Sequence, residues 1–187
     1  MNDVFLPGNG FDTYETQDRV LVGLTGSRGS RAAVRILQQQ GFAVVSAVVK
    51  LADTPEEAAT VKAAKEAAAK LGVECVTLNA AALREAEPEP VAARLDALLT
   101  AADKLGVQYI ATGHHARIET GSDGTNTVLA SAGSAPDESG LLCALPPETL
   151  ARLILPLGEF DPEDLDALAA DCLLYTSPSP RDRQKSR

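Results

Sequence analysis

Four short apolar runs rich in β-branched residues, at 19–25, 42–49, 73–78 and 107–112, alternate with longer stretches that end in glycine. This alternation is what most limits the fold. Runs of that length without polar alternation suit strands buried on both faces. The stretches between them read as helices. One spans 30–40 and stops at Gly41 as its C′ residue. Another opens at Thr54-Pro-Glu-Glu57, a capping box with proline at the first helical position, and runs through an Ala-rich segment to Leu71 before Gly72. A third follows the turn-prone Glu87-Pro-Glu-Pro90, covers 91–105 and closes at Gly106. Strands alternating with helices predict an α/β domain with a parallel, doubly wound sheet. Beyond the fourth strand, 120–139 is rich in Gly, Ser and Asp around one weak strand at 127–131. Two short helices follow at Pro147 and Pro162, the second with Asp161 as its N-cap.

With 187 residues and 45% hydrophobic content, the chain is long enough for one domain with a sizeable core. Aromatics make up only 4%, so that core is expected to be aliphatic. Residues 1–18 show no period and read as a flexible lead-in, and 19–171 as the domain. From Cys172 onward, helical periodicity gives way to Ser-Pro repeats and basic residues. This segment, 172–187, resembles translated sequencing-adapter read-through and is kept out of fold reasoning. No apolar run approaches the roughly 20 residues that span a bilayer, and the N-terminus lacks a signal-peptide pattern, so a cytoplasmic protein without a membrane partner is expected. Cys75, Cys143 and Cys172 form no close pair and fit no metal-ligand spacing. The first two are expected to be buried thiols. The net charge of −9 gives nucleic-acid binding no help, and no basic cluster is visible in the sequence before Arg181.

Ligands of open parallel sheets sit beyond the carboxyl ends of the strands, where a glycine-rich turn opening a helix offers backbone N–H groups to phosphate. Thr25-Gly-Ser-Arg-Gly-Ser30 occupies that place after the first strand. Its small residues let the backbone approach an anion, and the hydroxyls of Thr25, Ser27 and Ser30 are further donors. Arg28 offers a charge-assisted contact. As a bare pattern, such a turn often only connects two elements.

The segment Val22-Gly-Leu-Thr-Gly-Ser-Arg-Gly-Ser30 is similar to the S-G-G-x-D-S loop of the bacterial tRNA 2-thiouridylases, and two further segments are more specific. Ala111-Thr-Gly-His-His-Ala-Arg-Ile118 resembles that family's A-T-G-H-Y-A-R-I. Leu150-Ala-Arg-Leu-Ile-Leu-Pro-Leu-Gly-Glu159 resembles its L-A-x-x-x-F-P-L-G-E. Between them, Asp137-Glu-Ser-Gly-Leu-Leu142 stands where the family has D-Q-S-Y-F-L, so the resemblance runs in order from about Arg19 to Asp171. It implies a PP-loop ATP-pyrophosphatase domain with the three-layer sandwich of adenine nucleotide alpha hydrolases (the HUP fold). It also implies ATP and Mg2+ as cofactors, tRNA as substrate and a sulfur-donor relay protein as partner. The implied reaction adenylates the wobble uridine carbonyl oxygen and replaces it with sulfur carried on a cysteine. The implied nucleotide contacts are Gly23, Leu24, Thr25, Gly26, Ser27, Gly29 and Ser30 of the loop, with Val49 and Gly113 beyond it.

The chain departs from the family pattern at two places. The loop's acidic residue is Gly29 here. The family's first catalytic cysteine, in P-N-P-C-x-x-C, corresponds to Pro88-Glu-Pro-Val91, where no cysteine stands. The second catalytic cysteine lies further along than Asp171 in the family, which implies a domain incomplete at its C-terminus. No residue of this chain is therefore assigned the catalytic thiol. His114 and His115 stand at a strand's carboxyl end and read first as residues that fix the loop. Three readings stay open: a tRNA thiolation enzyme, a nucleotide-binding paralogue that has lost sulfur transfer, and an amide ligase that uses adenylation without cysteine.

Overall fold

The computed structural model describes residues 18–86 and 89–171. The lead-in up to residue 17, Glu87 and Pro88, and the 172–187 tail with Cys172 lie outside the described residues.

The centre is a five-stranded parallel sheet built from β1 (Arg19–Gly23), β2 (Ala43–Lys50), β3 (Cys75–Asn79), β4 (Tyr109–Ala111) and β7 (Leu153–Ile154). Its strand order is β3-β2-β1-β4-β7. The middle strand, β1, pairs with β2 from Arg19↔Ala43 to Gly23↔Ala47 and with β4 from Val20↔Tyr109 to Val22↔Ala111. Val20, Leu21 and Val22 are fully buried, which explains the unbroken apolar run. Alternate residues feed opposite faces. Leu21 joins the core beneath helix α4 (Pro90–Leu105), with Ala47, Val49, Leu95, Leu98 and Ile110. Val20 and Val22 join the core beneath α1 (Arg28–Gln39) and α2 (Pro55–Leu71), with Val34, Leu37, Val48 and Ala64. Helices on both faces of a parallel sheet make the expected three-layer α/β sandwich, and each fully buried leucine contributes about 1.5–3 kcal/mol to it.

The helix boundaries follow the local chemistry. Ser27 caps α1 by accepting from the Ser30 N–H at 3.2 Å, and Gly41 follows with φ 94°. Thr54 caps α2 by accepting from the Glu57 N–H at 3.2 Å, and Gly72 and Gly106 end α2 and α4 in the left-handed region. The capping box is only half formed. The Glu57 carboxylate turns away from Thr54 and accepts from the Leu51 N–H at 3.3 Å and from Arg94 Nη2 at 2.7 Å.

Several elements differ from the sequence expectation. A short helix α3 (Ala81–Ala86) follows β3, and β4 has three residues rather than six. The weak strand is β6 (Asn126–Ala130), paired antiparallel with β5 (Ala116–Thr120) in a separate hairpin that the sequence reading did not separate out. The two late helices are α5 (Pro147–Arg152) and α6 (Pro162–Asp171). Asp161 stands at the N-cap of α6 as expected, its carbonyl accepting from the Leu165 N–H at 3.2 Å and its N–H donating to Asp164 Oδ2 at 3.3 Å. The Asp161 Oδ1 accepts from the N–H and hydroxyl of Ser134, at 2.7 and 2.8 Å, and so ties the two loops together. The expectation of buried thiols also fails, since Cys75 is half-buried and Cys143 exposed. Among the described residues, no helix is long and apolar enough to cross a membrane.

Candidate active site

A cavity of about 390 Å³ opens above the carboxyl ends of β1, β2 and β4. This is the switch point of the sheet, where the order turns from β2 on one side of β1 to β4 on the other. Thr25, Ser27 and Ser30 form its floor, in the turn that leaves β1 and enters α1. Their hydroxyls form a closed cluster. Thr25 Oγ1 lies 3.0 Å from Ser27 Oγ and 3.3 Å from Ser30 Oγ, and the latter two are 3.2 Å apart. The Thr25 N–H donates to Ser30 Oγ at 3.2 Å, and the Arg31 N–H to the Ser27 carbonyl at 3.1 Å. The cluster therefore shapes the turn, while rotatable hydroxyls and the positive end of α1 remain suited to an anion.

Of the nine positions the resemblance marks, Gly23, Leu24, Thr25, Ser27, Ser30, Val49 and Gly113 line this cavity. Leu24 is held by its N–H, which donates to the Ala47 carbonyl at 2.8 Å. Gly26 and Gly29 are not in the lining. Gly26 has φ 82°, and a Cβ there would stand 2.8 Å from the Ala63 backbone, so it lets α2 approach the turn. Gly29 packs toward the Gly113 carbonyl and Leu157, at 3.1 and 3.3 Å from a hypothetical Cβ. Arg28 does not reach the cavity either. Its Nη1 pairs with Asp166 on α6 at 2.5 Å, with both side chains exposed.

The walls bring in Thr60, Arg94, Leu95 and Leu98, which the sequence reading gave no role, together with Val91. Thr60 comes from α2, and Val91, Arg94, Leu95 and Leu98 from one face of α4. The spacing of those four on α4 is the signal that could have grouped them. Arg94 is the one cation among the described lining residues and Glu138 the one carboxylate. Val91, where the resemblance sets the family's first catalytic cysteine, stands in the wall.

The two histidines divide their tasks. His114 lines the cavity, and its Nδ1 shares a 2.8 Å hydrogen bond with Thr112 Oγ1. Burial pushes its pKa below the ordinary histidine value, against the opposing pull of the Glu138 carboxylate and with a smaller contribution from His115. The His115 N–H donates to Glu138 Oε2 at 2.8 Å, and its carbonyl accepts from the Glu138 N–H at 3.0 Å. These bonds stitch the segment after β6 onto the loop after β4. Although the sequence shows no basic cluster before Arg181, α1 places Arg28, Arg31 and Arg35 on one face by helical spacing.

A family model described as the tRNA methyl transferase HUP domain matches residues 91–184. The tRNA-specific 2-thiouridylase MnmA of Lactiplantibacillus plantarum is 29% identical over 190 residues, covering 88% of this chain and 51% of the relative. The protein of that name from Shigella dysenteriae is 32% identical over 189 residues, with 87% and 51% covered. The chain thus spans about half the length of the curated relatives it matches. Among solved structures, the U34-tRNA thiolase NcsA from Methanococcus maripaludis superposes with a TM-score of 0.51 at 15% identity, covering 87% of this chain and 59% of that one. That likeness is one of fold. The chain belongs to the tRNA methyl transferase HUP-domain family and carries a PP-loop domain of the kind found in the tRNA-specific 2-thiouridylases.

Proposed function

We propose that this domain binds an adenine nucleotide in the cavity over β1, β2 and β4 and serves ATP-dependent thiolation of a tRNA uridine. The observation that carries the reading is the convergence of the loop residues Thr25, Ser27 and Ser30 with Val49 and Gly113, from three separate strand ends, on one cavity. Thr25, Ser27 and Ser30 would hold phosphate through hydroxyls and the end of α1. Val49, Ala47, Leu95 and Leu98 supply the apolar wall that a base requires. When bound, ATP supplies adenylation, which turns a carbonyl oxygen into a leaving group. His114 is held in its neutral form at neutral pH, so it offers one ring nitrogen as a donor or acceptor at the cavity without adding charge.

A magnesium ion held by the protein does not fit the donor set. The loop position that carries an acid in the family is Gly29, Glu138 is the single carboxylate in the described lining, and no three acidic, histidine or cysteine side chains group together among the described residues. Sulfur transfer also lacks its nucleophile in the cavity, because Val91 has no thiol, and Cys75 and Cys143 are not in the lining. Gly29 and Val91 favour a second reading, a nucleotide-binding member of the family without sulfur transfer. In the first reading the partners are tRNA and a sulfur-donor relay protein, in the cytoplasm.

Calorimetric titration of the chain with ATP and AMP tests what both readings share, and absence of binding sinks both. Incubation with tRNA, ATP and a persulfide donor, followed by mass spectrometry of the nucleosides, separates them. A gain of one sulfur for one oxygen in uridine supports the enzyme. Nucleotide binding without any such product supports the second reading.

A further inference from the structure

We propose that Arg94 is a phosphate-binding residue of this cavity, oriented by Glu57; the proposal rests on the nucleotide reading of the same site. Among the described residues, a phosphoryl group entering the cavity meets one positive side chain in its lining, Arg94, since Arg28 is turned away to Asp166. The guanidinium is built in rather than merely present. Glu57 is only 17% exposed, and its Oε1 accepts from Arg94 Nη2 at 2.7 Å while its Oε2 accepts from the Leu51 N–H at 3.3 Å. The carboxylate is therefore pinned between the first turn of α2 and the end of β2, and it fixes the direction of the arginine. A guanidinium carries five N–H donors in a planar fork, so a bond through Nη2 leaves others for a ligand. Arg94 is 38% exposed and in the cavity lining, as an arginine with donors directed to the opening would be.

The placement along α2 sets the geometry. Glu57, Thr60 and Ala63 follow at intervals of three residues, and Ala63 is the residue that Gly26 of the loop packs against. Six residues of helix rise about 9 Å, so Glu57, which holds Arg94, lies about that far along α2 from the point where the loop packs. The hydroxyl cluster and Arg94 thus bracket the cavity from two levels. A nucleotide with an extended phosphate chain supplies a phosphoryl group at that level, and so does the backbone of an RNA strand whose base enters the cavity. The shared chemistry is a phosphate oxyanion taken by a planar fork, for which lysine is a poor substitute.

The test uses the full chain and its Arg94→Gln and Arg94→Lys variants, titrated with adenosine, AMP, ATP and a short single-stranded oligouridylate, with thermal melting as a check on folding. Arg94→Gln is expected to weaken ATP relative to adenosine by about tenfold or more, with Arg94→Lys recovering only part. If ATP keeps its ratio to adenosine while oligouridylate binding falls about tenfold, RNA is the source of the phosphate and the assignment stands. Should adenosine, ATP and oligouridylate all keep their affinities, or all fall in parallel, Arg94 is structural and the proposal is overturned. If the unmodified chain binds neither adenosine nor ATP, the nucleotide reading fails by itself. Arg94 is then judged on oligouridylate alone, where an unchanged affinity, or none, overturns it too.

Discussion

Gly113 lies flat against the backbone of Gly29. A Cβ on Gly113 would stand 2.7 Å from the Gly29 carbonyl carbon and 2.7 Å from the Ser30 nitrogen. The loop after β4 and the first turn of α1 therefore touch backbone to backbone, and neither can give way by rotating a side chain. Gly113→Ala is expected to lower stability by about 1–3 kcal/mol, the usual cost of overpacking, and to weaken nucleotide binding because the loop must shift. Urea unfolding checks the first effect. A loss under about 0.5 kcal/mol, the range of a neutral surface change, would mean the two segments separate freely.

Gly29 itself offers a test of what the loop has lost. Its missing side chain faces the Gly113 carbonyl at 3.1 Å and Leu157 at 3.3 Å, so a new side chain requires a shift of a few tenths of an ångström. Gly29→Asp also places an anion in the first turn of α1, where the helix dipole favours it by about 0.3–1 kcal/mol. The expected outcome is a nucleotide affinity that becomes magnesium-dependent, stronger with Mg2+ and weaker in chelator than in the unmodified chain. Calorimetry under both conditions decides it, and identical affinities with and without Mg2+ would show that position 29 does not face the phosphates.

His114 gives the fold a pH dependence with a definite sign. Its pKa in the folded state lies below the ordinary value of about 6.5, chiefly through burial, so the unfolded chain binds its proton more readily. The stabilisation from the neutral ring is complete above pH of about 6.5 and is lost as the pH falls below it toward the folded pKa. Thermal midpoints measured from pH of about 7.5 down to about 5, which enters that window from above, should fall more steeply in the unmodified chain than in His114→Gln. Parallel curves would place the acid sensitivity elsewhere.

What could be read from the sequence divides along physical lines. The glycines that end α1, α2 and α4 announce themselves locally, because the left-handed backbone at Gly41, Gly72 and Gly106 is a demand the residue type states outright. The buried run of β1 is equally local. Leu153–Ile154, the outer strand beside β4, has two residues and no period to read, and β5 lies within a segment that reads as a motif. Site residues follow the same rule. Thr25, Ser27 and Ser30 sit within six residues of one another, whereas Arg94 acquires its meaning from Glu57, 37 residues away, and Glu138 from His115, 23 residues away. Such pairings are set by the sheet order and have no local signature.

Val91, where the resemblance sets the family's first catalytic cysteine, stands in the cavity wall with Arg94 and Leu95. Val91→Cys, made where Cys75, Cys143 and Cys172 are replaced by serine, puts a single thiol at that wall. Valine and cysteine are close in size and both tolerate partial burial, so the fold should change little. A maleimide reagent is expected to label this thiol in the free protein, and saturating ATP should slow the labelling several-fold. Cys143, exposed on the segment between β6 and α5, provides the control in the unmodified chain, since its labelling should not respond to nucleotide. Equal labelling of the introduced thiol with and without ATP would place the nucleotide outside this cavity. Protection there and not at Cys143 would put it against the wall where the resemblance sets the family's first catalytic cysteine.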